Sequence, residues 1–173
     1  MSVQHGGLTG TATLATQSPL RDLTVLIRSS TPLIAVETNE EPQVVSLVRQ
    51  ISRQLQLKSY RWTVTEGMQA FEPCDQPPLS VLKSQEILNY IKSSSSYSLF
   101  VLLDFRRYLE DDIHVRFLKD IALNYSRHYS TVVLVGTALP IPVELRPFTA
   151  HFRLPLPTAD ELRAIVYDVA ADW

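Results

Sequence analysis

Five short runs rich in β-branched and aromatic residues (Leu33–Val36, Tyr60–Val64, Leu99–Leu103, Thr131–Val135 and Ala150–Leu154) alternate with longer stretches whose apolar residues recur at helical spacing. Parallel neighbours need a crossover of a dozen or more residues, usually a helix, which a tight hairpin cannot supply. The alternation therefore restricts the chain to an α/β fold, three layers deep, with a mostly parallel five-stranded sheet flanked by helices. The first helical segment, Asp22 to Arg28, carries Leu23, Leu26 and Ile27 and is stopped by Pro32. The next starts at Pro42, where a missing N–H is tolerated, and aligns Val44, Leu47, Val48, Ile51 and Leu55, with Arg49, Arg53 and Gln54 on its other face. A third follows Pro77 and Pro78, uses Leu82, Ile87, Leu88 and Ile91, and gives way to the loop Ser93–Ser96. A fourth places Ile113, Phe117, Ile121 and Tyr125 at i, i+4 spacing, flanked by Leu118 and Ala122. The last opens with Thr158 and Glu161 as a capping box and buries Leu162, Ile165, Val166 and Val169.

Residues 1–20, rich in Gly, Thr, Ser and Gln, read as a flexible leader, and residues 21–173 as one domain. The sixteen basic residues are offset by eighteen acidic ones, a balance that gives no electrostatic footprint for nucleic acid. No apolar run approaches the roughly 18 residues of a membrane span, and the amino terminus lacks the basic and apolar regions of a secretory signal. A cytoplasmic location is the expectation. The lone Cys74 cannot form an internal disulfide.

Ligands of open α/β sheets sit beyond the carboxyl ends of the strands, so Glu37, Thr38, Asp104 and Thr137 carry the most information. A phosphate cradle at the first strand–helix turn needs glycines, to aim successive N–H groups at the anion, and a lysine. The sequence there is Glu37-Thr38-Asn39-Glu40-Glu41-Pro42, and of the five glycines only Gly67 and Gly136 lie beyond the leader. Carboxylates gathered at that turn repel phosphate unless a divalent cation intervenes, although Glu40 and Glu41 also suit a helix amino terminus. Arg106 and Arg107 are positioned to meet a partner's carboxylates or to pair with Asp111 and Asp112. His114, His128 and His151 show no ligand spacing, and neither Gly-x-Ser-x-Gly nor any recognisable nucleophile arrangement of Ser, Cys and His occurs, so triad chemistry has no support in the sequence. Trp62 reads as sheet-face packing.

The strand Leu99–Asp104 is similar to the magnesium-binding strand of an ATPase, except that Phe105 stands where a second acid would activate water. Together with Thr131–Thr137, Ile141–Leu145 and Leu154–Leu162, it resembles the second half of an AAA-type ATPase core. Leu26–Glu41 resembles the amino-terminal degenerate AAA-like domain of poorly characterised AAA ATPases of cyanobacteria and algal plastids. The resemblance spans about residues 22–170. It implies a P-loop-NTPase-like core without a working phosphate loop, strand order 5-1-4-3-2, and ATPase activity in a carboxyl-terminal module not present in this chain. The chain departs from that pattern in having no convincing arginine finger, with Arg146 near where one would be sought; Thr137 lies where a sensor residue would but takes no role, and no catalytic residue carries over. The resemblance extends the expected location to a plastid stroma.

The reading is a non-catalytic domain, with no cofactor and no metal, that acts through protein contacts as a regulatory, assembly or client-binding partner of an AAA ATPase module or ring. The contact residues it suggests are Arg49, Arg53, Arg106, Arg107, Asp111 and Asp112, with Glu37, Asp104 and Thr137 as a vestigial site. One alternative is a receiver-like phosphoacceptor holding magnesium at Glu37, Asp104 and Thr137. It is weakened because none of Lys58, Lys83, Lys92 and Lys119 follows the fifth strand. The other is loose nucleotide binding without hydrolysis.

Overall fold

The computed structural model describes residues 18–73 and 83–155. The elements are α1 (Pro19–Arg28), β1 (Leu33–Glu37), α2 (Glu41–Leu55), β2 (Lys58–Thr63), β3 (Gly67–Ala70), α3 (Ser84–Ser93), β4 (Ser98–Leu103), α4 (Asp112–Leu123), α5 (Tyr125–His128), β5 (Thr131–Gly136) and β6 (Thr149–Phe152), with 3-10 turns at Phe105–Glu110 and Arg146–Phe148. They build one six-stranded sheet in the order β3-β2-β4-β5-β1-β6. All neighbours are parallel except β2 and β3.

Side-chain alternation along the central strands divides the core in two. Ile34 and Val36 of β1, Leu99, Val101 and Leu103 of β4, and Val133 and Val135 of β5 face α1 and α2, whose Leu23, Ile27, Val44, Val48 and Ile51 join the same cluster. Leu33, Ala35, Phe100, Leu102, Val132 and Leu134 point the other way, onto α3 and α4. Every residue of β4 and β5 is buried, as expected of strands covered on both faces. Each fully buried aliphatic side chain on α2 contributes about 1.5–3 kcal/mol, enough to hold a helix whose intrinsic propensity would not.

Several sequence expectations are corrected. The sheet has six strands and not five, because Gly67–Ala70 returns antiparallel along β2, with Gly67 at φ 70° admitting the turn. Its four residues carry no β-branched side chain, so pattern alone gave no sign of it. Helix α1 begins at Pro19, inside the segment read as leader. In α4 the buried residues are His114, Leu118, Ile121 and Ala122, while Ile113 is 53% exposed. The helix is thus rotated by one position from the Ile113–Phe117 stripe, because His114 finds polar partners inside and can be buried in place of Ile113. The expected last helix, Cys74, Pro77, Pro78 and Leu82 lie outside the described residues. No described helix is long and apolar enough to cross a membrane.

Candidate functional site

The register of β4, β5 and β1 sets Leu103 beside Val135, and Gly136 beside Glu37. Asp104, Thr137 and Glu37 therefore stand at adjoining strand ends, as their positions in the sequence required. Glu37 Oε1 accepts from Leu139 N at 3.0 Å, and Thr38 N donates to Gly136 O at 2.9 Å, so the loops after β1 and β5 are tied to each other. The turn into α2 closes locally, with Glu40 N donating to Thr38 Oγ1 at 2.9 Å.

Asp104 occupies the left-handed region at φ 54°, a conformation Asp tolerates better than most residues, and it turns the chain from β4 into the 3-10 segment. Its carboxylate meets Glu41, at the start of α2. Burial, then the charge of Asp104, then a hydrogen bond with Asp104 push the Glu41 carboxyl above the usual carboxylate range. Burial and a like charge both disfavour the ionised form of Glu41. Asp104, Arg106, Arg107, Thr137 and Tyr108 line an open cavity of about 420 Å³. Among the described residues, no group of three or more His, Cys, Asp or Glu side chains is arranged to hold a metal ion.

Arg106 and Arg107 are exposed, and neither joins Asp111 or Asp112 in an ion pair among the described residues. Asp111 is occupied elsewhere: its Oδ1 accepts from Ile113 N at 2.9 Å and His114 N at 3.1 Å, capping α4. These bonds, with that from His114 Nδ1, hold the Asp111 carboxyl below its ordinary range, the ring contact contributing most. Arg53 and Arg49 are exposed on α2, but both lean on the segment after β3, Arg53 through Glu72 at 2.6 Å and Arg49 over the Phe71 ring at 5.3 Å.

Phe105 is fully buried, its ring edge-on to Trp62 at 5.9 Å and tilted against Tyr108 at 4.9 Å. Trp62 is 1% exposed, the packing role read from its sequence.

One juxtaposition has no sign in the sequence. His114, buried at the start of α4, is bonded on one side to Asp111 Oδ1 through Nδ1 at 2.8 Å and on the other to Ser84 Oγ through Nε2 at 2.7 Å. Ser84 and His114 are 30 residues apart and meet because α3 and α4 pack side by side, so no local spacing could reveal the contact. Ser84, His114 and Asp111 thus form one chain of side-chain hydrogen bonds across α3 and α4.

The profile of the family described as "SpoVK-like AAA ATPase, N-terminal domain" matches residues 19–154. An uncharacterized AAA domain-containing protein, ycf46, of Trieres chinensis is 28% identical over 148 residues, covering 82% of this chain and 29% of the relative. Its counterparts in Pyropia yezoensis and Guillardia theta are 26% and 25% identical, each covering 83% of this chain and 29% of the relative. The chain thus spans about 29% of the length of these relatives. A chain in the structure of Drosophila ORC bound to DNA aligns with a TM-score of 0.45 and 10% identity, covering 83% of this chain and 93% of that one.

Proposed function

Because the chain belongs to the SpoVK-like AAA ATPase N-terminal domain family, we propose that it works through protein contacts beside an AAA ATPase module, in regulation, assembly or client binding, and does not itself turn over nucleotide. The observation that carries this reading is the β1–α2 turn. It spans only Thr38–Glu40 and has neither glycine nor lysine. Its neighbour Glu41 already contends with the charge of Asp104. A triphosphate brought to that edge would add like charge to a site lacking the N–H cradle that offsets it elsewhere.

The buried Phe105 supports the same conclusion, since the position after Asp104 has no group able to accept a proton from water. The small net charge of −2 favours a protein over a nucleic-acid partner. The exposed Arg106 and Arg107, on a short segment braced by the core, are the side chains best placed to receive a partner's carboxylates. Asp111 is committed to capping and is a poorer candidate. Asp112, Arg49 and Arg53 remain secondary candidates on exposed surface. A compartment containing the AAA module, cytoplasm or plastid stroma, goes with this reading.

The receiver-like alternative needs a lysine beside the acidic edge, and none of Lys58, Lys83, Lys92 or Lys119 lines the cavity at Asp104. Calorimetric titration of the chain with ATP and magnesium tests the reading. No heat and no change in melting temperature is expected, and micromolar binding would refute it. Magnesium binding that Asp104→Asn abolishes would favour the receiver-like layout instead.

A further inference from the structure

We propose that Ser84 is an activated nucleophile, with His114 as its general base and Asp111 orienting the imidazole, and that it accepts acyl groups from small esters. A carboxylate only accepts hydrogen bonds, so the 2.8 Å contact with Asp111 Oδ1 places the proton of neutral His114 on Nδ1. Nε2 is then a lone-pair acceptor, and the 2.7 Å contact to Ser84 Oγ is an O–H donating to it. This is the tautomer and the order of bonds that a serine nucleophile requires.

Capping of α4 explains why Asp111 meets the backbone of Ile113 and His114. It does not require the ring to reach across to α3, where Ser84 Oγ meets the second nitrogen of the buried imidazole. The imidazole is held on its other sides by Tyr108, at 5.1 Å between centroids, and by Phe105 at 6.2 Å, so its orientation is fixed before any ligand arrives. Ser84 is only partly buried and, with Val64, Lys83, Gln85 and Tyr108, lines an open cavity of about 410 Å³. Val64 and the Tyr108 ring offer apolar surface for a short acyl chain. Ser84 and Gln85 also stand in the first turn of α3, where backbone N–H groups lack intrahelical acceptors.

The step balances without any cofactor. Ser84 Oγ bonds to the acyl carbon as its proton moves to His114 Nε2, and the carbonyl electron pair moves onto oxygen. The pair returns as the alkoxide leaves, taking the proton from Nε2 to depart as an alcohol. Water, deprotonated by the same nitrogen, then releases the carboxylic acid and restores Ser84.

The test is treatment of the 173-residue chain with a tagged fluorophosphonate, in which Ser84 Oγ displaces fluoride from phosphorus, followed by peptide mass mapping. The expected result is one adduct, on Ser84, formed far faster than on the urea-unfolded chain. Ser84→Ala removes it, and His114→Gln, if its melting curve is retained, slows it by about 100-fold or more. Labelling of the native chain no faster than of the urea-unfolded chain, or equal labelling of Ser84→Ala, overturns the proposal and leaves the three residues as a structural clasp. That comparison decides the matter even if His114→Gln does not fold.

Discussion

Phe105→Glu is the substitution that would put an acid after Asp104, and the structure predicts that it destabilises the domain severely. The Phe105 ring is 0% exposed and touches the rings of Trp62, Tyr108 and His114. Removing such a ring costs about 3–5 kcal/mol even when alanine replaces it, through lost transfer energy and the cavity left behind. Glutamate forfeits the same ring contacts and brings a carboxyl group into an apolar site, where it must either stay charged without solvent or hold its proton at neutral pH. The loss should therefore be no smaller than for alanine. Against a total stability of about 5–15 kcal/mol, that is a large share. Urea unfolding followed by far-ultraviolet circular dichroism gives the number directly, with Phe105→Leu as the apolar control that loses least. If Phe105→Glu lies within about 1 kcal/mol of the unsubstituted chain with an unchanged denaturant slope, the residue is not the core element argued for here, and the route to an acidic partner for Asp104 is open.

The rotated face of α4 predicts that Leu118→Ala costs about 2–5 kcal/mol. Ile113→Ser, on the exposed side, should stay within about 0.5 kcal/mol, and thermal melts that reverse this order would restore the phase read from the sequence. Asp104→Asn should stabilise the chain at neutral pH by a few tenths to about 1 kcal/mol, since it removes the charge opposing Glu41 at a left-handed position that asparagine also accepts. The raised Glu41 carboxyl binds its proton more tightly in the folded state, so its favourable contribution is present below the ordinary carboxylate range and is lost as pH rises through its raised value. The advantage of Asp104→Asn should accordingly shrink in acid, where Glu41 holds its proton, and urea midpoints that fail to converge there would contradict the raised Glu41 carboxyl.

The elements legible in the sequence are those whose signal is local and repetitive. β4 and β5 are continuous apolar runs of strand length, and α2 repeats Val44, Val48 and Ile51 on one face, so their type follows from spacing alone. The convergence of Glu37, Asp104 and Thr137 was legible for a related reason, since parallel strands put all carboxyl ends at one edge of the sheet. What escaped depends on contacts distant in sequence. β3 is held by ladder bonds to β2, not by the character of Gly67–Ala70, and the burial of His114 depends on Ser84. An apolar arc wide enough to include Ile113, Phe117, Leu118, Ile121 and Ala122 leaves the rotation of α4 undecided, and polar bonds to one buried imidazole decide it. The pairing expected for Arg106 and Arg107 failed because Asp111 had a nearer claim in the backbone of its own helix.

The two features that distinguish the carboxyl edge of the sheet meet in one aromatic cluster. Phe105, Trp62 and Tyr108 pack together beneath it, and Phe105 and Tyr108 in turn confine the ring of His114. A carboxylate at position 105 would loosen that cluster and release the ring it confines, so that Nε2 would no longer be held against Ser84 Oγ. An acid beside Asp104 and an acceptor nitrogen at His114 are thus competing demands on the same few side chains. The buried phenyl ring satisfies the second and excludes the first. Measured side by side, Phe105→Leu should keep the fluorophosphonate reactivity of Ser84 far better than Phe105→Glu. If the two variants fold equally and label equally, the cluster does not couple the two sites, and the loss of the acid and the setting of the imidazole are independent events.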